Sequence, residues 1–176
     1  AAAGCQVLGI DLDTKRVALA QARGLKAVGR KEAAERSATF TAGQGFDAVL
    51  ICADTESNDP VQLAGEIARD RATVVAVGAV GMDVPRRSYY GKELSFIVSR
   101  SYGPGRYDPE YEEGGRDYPI GYVRWTEGRN LQAFADLMAS GAVDVSKLIS
   151  HRFPITEAPK AYELIQSDKP FLGVLI

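Results

Sequence analysis

The chain has 176 residues, 45% hydrophobic and 25% charged, with a formal net charge of −2. That is the size and composition of one ordinary globular domain. The charge leaves no basic face for nucleic acid, and no apolar run approaches the roughly 18 residues of a membrane-spanning helix.

In chain order, Ala1-Ala2-Ala3-Gly4 reads as the last turn of a helix with a glycine cap, and residues 5–11 read as a strand. Asp13 is the expected N-cap of a helix to about Gln21 or Ala22, ended by Gly24. Leu25 to Val28 suits a short strand, and Glu32 to Gln44 is weakly helical, interrupted by Ser37-Ala38-Thr39. Residues 46–53 form a nearly continuous apolar run, which suits a strand buried on both faces of a parallel sheet. Asn58 or Asp59 caps the next helix, with Pro60 at its start and an end near Arg69. Residues 73–77 and 94–98 are further buried strands.

Residues 99–123 break this rhythm with five of the eight tyrosines and several Gly and Pro residues. So long an irregular stretch in a compact domain is usually functional. Leu131, Phe134, Leu137 and Met138 then mark one face of a helix ended by Gly141. Val145 and Leu148 lead to a strand at 149–153. A helix after Thr156 turns Ala158, Ala161, Tyr162 and Ile165 inward, and a closing strand spans 171–176. Alternating strands and helices predict an α/β fold, a Rossmann-like doubly wound parallel sheet.

The candidate chemistry begins at Asp11, an acid that ends the apolar run from Gln6 and precedes a helix. In a dinucleotide-binding βαβ unit, an acid there accepts hydrogen bonds from the adenosine ribose hydroxyls and repels a 2′-phosphate, so NAD is the expected cofactor. Arg16, one turn on, is placed to flank the adenosine. In open parallel sheets ligands sit beyond the carboxyl ends of the strands. Ala53, Asp54 and Thr55 on one loop, and Gly78, Ala79 and Val80 on another, therefore make the candidate nicotinamide side. Tyr102, Arg106 and Tyr107 are candidate substrate contacts, because aromatic faces suit sugar rings and Arg100, Arg106 and Arg116 suit carboxylates or phosphates. A packed loop meeting another domain or subunit is the plain alternative.

Cys5 and Cys52 read as buried free thiols of a reducing compartment. With one histidine and no Cys-x-x-Cys, a zinc site within this chain is not expected. His151 suits a structural, hydrogen-bonded role. Tyr89-Tyr90-Gly91-Lys92 misses Tyr-x-x-x-Lys spacing, and no catalytic acid–base pair can be named. The Ala-rich start lacks a basic segment and a long apolar core, so it does not read as a signal peptide, and the cytoplasm is the expected compartment.

Several stretches together resemble the nucleotide-binding part of medium-chain, zinc-type alcohol-dehydrogenase-like oxidoreductases. They are residues 3–13 with the helix to Ala20, Gly45-Phe46-Asp47-Ala48-Val49, Ala76-Val77-Gly78, and Ser150-His151-Arg152-Phe153-Pro154 through Ala161-Tyr162. The resemblance implies that Asp11 and Arg16 touch the adenosine ribose, and that loops 53–55 and 78–81 lie toward the nicotinamide. It implies a parent enzyme moving a hydride between NAD and a secondary alcohol or carbonyl, with any zinc held in a separate catalytic domain toward which residues 145–176 would pack. Residues 118–125 resemble a subgroup of two-domain oxidoreductases associated with polysaccharide biosynthesis.

The glycine-rich turn of such a unit falls roughly 20 residues before the acid, and only ten residues precede Asp11. The expectation is a single dinucleotide-binding domain lacking its first strand, inactive alone. That strand would sit between those at 5–11 and 46–53, so either these close the gap or another chain fills it. Homo-oligomerisation through exposed edges fits the same reasoning, as does the rival reading of a non-catalytic interaction module. The expected substrate partner is a small alcohol or sugar.

Overall fold

The computed structural model describes residues 3–176, and the helical turn expected at Ala1 and Ala2 lies outside them. Where composition points to one domain, the chain divides into two compact units. One is residues 6–130; the other is residues 131–176 with the residues up to Cys5.

In the larger unit, strand β1 (Gly9–Asp11) pairs in parallel with β2 (Ala27–Gly29). Helix α1 (Thr14–Ala22) joins them. Its start follows the local rule: the Asp13 carboxylate accepts the Lys15 N–H at 2.8 Å, and Gly24, in the left-handed region at φ 79°, follows its end. The expected strand at 5–11 is ordered as a ladder only from Gly9, because β2 offers three residues to pair with.

A separate parallel sheet has the order β3 (Phe46–Ile51), β4 (Ala68–Ala76), β5 (Ser95–Val98). Val49, Val74 and Phe96 share one row across it. Helices α3 (Asp59–Ile67) and α4 (Arg86–Gly91) bring Val61, Ala64 and Tyr89 to that face, completing a core with Ile51 and Val74. The Tyr89 hydroxyl donates to the Val61 carbonyl at 2.9 Å, and burial pushes its pKa up to about 12.

The opposite face departs from expectation. Its row of Leu50, Val75 and Ile97 is open, with Leu50 64% and Ile97 50% exposed. The apolar run predicts burial on both faces, but within this unit the helices cover one. Cys52 continues the open-face parity of Leu50, and Cys5 precedes the first ladder residue. Both thiols are therefore free and exposed rather than buried.

Helix α2 (Ala33–Phe40) follows a 3-10 turn at Arg30–Glu32. Ala33 with Leu63 and Ile67 of α3 forms a second core cluster, onto which Ile10 of β1 and Phe46 and Val49 of β3 all pack. The two sheets thus lean on the same helices, yet among the described residues no ladder joins β1 to β3. The strands do not close the gap. An ion pair braces the two halves: Arg30, just after β2, donates to both carboxylate oxygens of Asp59 at the start of α3, at 2.7 and 2.5 Å.

Asn58 takes the expected N-cap position of α3, but its side chain makes no cap hydrogen bond. Ser57 Oγ accepts the Asp59 N–H at 3.1 Å, while the Asn58 side chain reaches the backbone of Asp83. At its other end α3 runs into β4 with no intervening loop, and Lys92 Nζ donates to the carbonyls of Gly65, Glu66 and Ala68 at 2.9, 2.8 and 2.7 Å. Four-residue helix α5 (Pro109–Glu112) and the start of α6 (Glu127–Ala139) follow.

In the smaller unit, β6 (Ile149–Arg152) and β7 (Gly173–Leu175) pair in parallel around α7 (Ala158–Ile165). Ala161 is fully buried. Tyr162 and Ile165 are exposed, contrary to the expected inward face, because a two-stranded sheet covers only a narrow stripe of the helix. The apolar residues Leu131, Phe134, Leu137 and Met138 of α6 are exposed as well.

Candidate cofactor site

Asp11 stands at the carboxyl end of β1. Its Oδ1 accepts the Asp13 N–H at 2.8 Å, and its Oδ2 lies 4.0 Å from Arg16 Nη1. Arg16 Nε is 3.9 Å from Asp13 Oδ2. The structure therefore brings Asp11 and Arg16 together, and one guanidinium is shared by two carboxylates. A carboxylate offers roughly four acceptor positions, so Asp11 retains capacity for hydroxyl donors.

The two loops of the expected nicotinamide side are also brought together. They leave the carboxyl ends of β3 and β4 and are zipped to each other. The Thr55 N–H donates to the Ala79 carbonyl at 2.8 Å, Thr55 and Val80 form an isolated parallel bridge, and the Gly81 N–H donates to the Ser57 carbonyl at 3.2 Å. Ala53 and Asp54 are exposed, as is Ala79. The Val80 side chain instead packs against the Ile51–Tyr89 core and anchors its loop. Gly81 leads into extended chain, with α4 starting only at Arg86, so this turn does not present a helix N-terminus to a phosphate.

Tyr102, Arg106 and Tyr107 form one cluster. The Arg106 guanidinium lies 5.5 Å from the Tyr102 ring centroid and 4.4 Å from that of Tyr107. Arg106 also pairs with Glu112 at 2.5 Å, which raises its pKa further, and Arg116 pairs with Glu110 at 2.8 Å. The segment is built, not loose. Asp108 caps α5 through the Glu110 N–H at 3.0 Å and accepts the Tyr118 hydroxyl, which holds its carboxyl below the usual range. Tyr118 stacks on Tyr111 at 5.7 Å, and the Tyr111 hydroxyl accepts the Gly128 N–H at 2.8 Å. Asp108 and Glu112 escape the sequence reading, although Asp108-Pro109 carries the local signal of a helix start.

His151 Nδ1 sits 2.9 Å from Ser150 Oγ, and its ring stacks beside Phe153. Among the described residues no group of three or more His, Cys, Asp or Glu side chains is placed to hold a metal ion, and no helix is long and apolar enough to cross a membrane.

A sequence model described as "Zinc-binding dehydrogenase" matches residues 1–113. The chain belongs to the zinc-binding dehydrogenase family. The family's zinc does not fit the donor set of these residues. A curated relative, the NADP-dependent isopropanol dehydrogenase of Entamoeba histolytica, is 29% identical over 129 residues, which are 73% of this chain and 33% of the relative. Two solved structures are similar in fold. Alcohol dehydrogenase TADH from Thermus sp. ATN1 aligns with a TM-score of 0.69 at 24% identity, over 97% of this chain and 43% of that one. The 2R,3R-butanediol dehydrogenase of Bacillus subtilis aligns with a TM-score of 0.70 at 16% identity, over 99% and 44%. The chain thus spans about a third of the curated relative and less than half of these dehydrogenases. Its fold is the Rossmann-like one of their nucleotide-binding domains.

Proposed function

We propose that this chain is the cofactor-binding part of an NAD-dependent oxidoreductase that moves a hydride between nicotinamide and a secondary alcohol or carbonyl of an alcohol, polyol or sugar. The observation that carries the reading is Asp11, a carboxylate with spare acceptor capacity at the end of a parallel strand. NAD is favoured over NADP because Arg16, the nearest cation, is already shared by Asp11 and Asp13, and a net negative cluster repels a 2′-phosphate. Ala53, Asp54, Thr55, Gly78, Ala79 and Val80 form the nicotinamide side, and Tyr102, Arg106 and Tyr107 the substrate side.

The zipped loops offer backbone groups to a nicotinamide, but the pyrophosphate needs a glycine-rich turn that these residues do not supply. The unpaired edges of β1 and β3, held over one shared cluster, support a further strand between them, contributed by a preceding segment of a longer enzyme. The exposed apolar face of α6 and the residues 145–176 suit packing against a catalytic domain that holds any zinc. Residues 118–125 support the subgroup associated with polysaccharide biosynthesis. The same open edges favour self-association, and a non-catalytic oligomerisation module is the second reading.

The test is titration with NADH and NADPH of a chain extended upstream through the glycine-rich turn. NADH should bind tighter than NADPH, and Asp11→Ala should weaken NADH by about tenfold, the scale of a lost hydrogen bond to a charged group. Equal affinity of wild type and variant removes Asp11 from the site.

A further inference from the structure

The tyrosine-rich segment leaves the carboxyl end of β5, the edge of the sheet at which ligands bind in open parallel folds. Tyr102 and Tyr107 hold left-handed backbone, at φ 63° and 65°, where an aromatic residue is costly. The surroundings enforce it. Asn130 Nδ2 donates to the Tyr102 carbonyl at 3.0 Å, and the Glu127 N–H donates to the Pro104 carbonyl at 2.8 Å. A Cβ on Gly105 would stand 2.7 Å from the Tyr111 ring. This much bracing displays the rings rather than burying them: Tyr102 is 60% and Tyr107 63% exposed.

One guanidinium on this platform has no carboxylate partner. Arg100 lies 5.1 Å from the Tyr107 centroid and Arg106 4.4 Å from the same centroid, so two guanidiniums stand within about a Debye length of each other. Glu112 pairs with Arg106. Asp108 is taken by the Tyr118 hydroxyl and the Glu110 N–H. Among the described residues no carboxylate stands within ion-pair distance of Arg100, whose one hydrogen bond goes to the Arg106 carbonyl at 3.2 Å. Two guanidiniums flank one aromatic ring and only Arg106 has a carboxylate partner, which leaves Arg100 open to an added anion.

We infer that Arg100, Tyr107 and Tyr102 bind a sugar ring carrying one anionic group, a carboxylate or a phosphate. The ring stacks on exposed tyrosine and the anion takes the free Arg100 guanidinium. This names the substrate class of the proposed oxidoreductase and rests on that reading for its being a substrate site. Arg106 is a positioning residue, held by Glu112 so that it supports both rings.

Titration of the full chain, followed by amide chemical shifts, with glucuronate, glucose 6-phosphate and glucose tests this. One or both anionic sugars should bind and shift the 100–107 amides, and the preferred one tells carboxylate from phosphate. Arg100→Gln should weaken binding by about tenfold or more. Tyr107→Gly, which suits the left-handed backbone, should weaken it likewise, while Tyr107→Phe retains it. Glucose binding equally well, no binding of either anion, or affinity unchanged in Arg100→Gln overturns the inference. NADH titration of the upstream-extended chain, wild type against Asp11→Ala, reads the oxidoreductase assignment separately.

Discussion

Gly78 lies so close over Ala53 that a Cβ on it would stand 2.0 Å from the Ala53 carbonyl oxygen. Contact with rigid backbone at that distance forces one loop away from the other. Gly78→Ala should break the Thr55–Ala79 hydrogen bond, cost about 1–3 kcal/mol in urea unfolding, and lower NADH affinity through the displaced loop. Gly29→Ala is the control. That glycine has φ −72° and no neighbour within 4 Å of an added Cβ, so stability should stay within about 0.5 kcal/mol.

The Arg30–Asp59 pair makes an acid-side prediction. The guanidinium holds the Asp59 carboxyl below its ordinary value of 3.8. A carboxyl with a lowered folded pKa contributes stability that is fully present above its unfolded pKa, about 3.9, and is lost as pH falls through the folded value. The Asp59 side chain is 44% exposed, so solvent screening keeps the effect under about 1 kcal/mol. Asp59→Asn should flatten the stability profile below about pH 4, read from unfolding midpoints, and leave other acid-side slopes intact. An unchanged profile would remove this pair as a brace between the two sheets.

Tyr89 acts at the other end of the scale. Its folded pKa of about 12 lies above the unfolded value of about 10. The neutral hydroxyl therefore contributes stability that is complete below the unfolded pKa and lost as pH rises through the folded one. Tyr89→Phe keeps the ring in the core but removes the bond to the Val61 carbonyl, at a cost of about 1 kcal/mol at neutral pH. It should also flatten the alkaline limb. If the variant keeps the wild-type slope there, another group sets it.

What the sequence made legible was local. Asp13 caps α1 through a backbone N–H two residues away, and Pro60 starts α3, because both depend on neighbours in the chain. The acid at the end of β1 and the small residues after β3 and β4 were readable for the same reason. The open face of β3 was not, since whether Leu50 is covered depends on helices far along the chain. Nor was the order within residues 99–123. Its bonds join Tyr102 to Asn130 and Asp108 to Tyr118, pairings that no periodicity announces.

Lys92 gathers the last carbonyls of α3 and the first of β4 on one ammonium. This helix therefore stops without a glycine and without a loop. One residue inserted between Ile67 and Ala68 would draw the carbonyls off Lys92, and the irregular stretch of β4 between Ala68 and Thr73 is where the extra length would be taken up before the core row. The added chain lies elsewhere, past β5, where the tyrosine-bearing segment spans Ser99 to Thr126 without lengthening any strand. The fold thus ties helix to strand through one side chain at this junction and carries its added surface past a strand end.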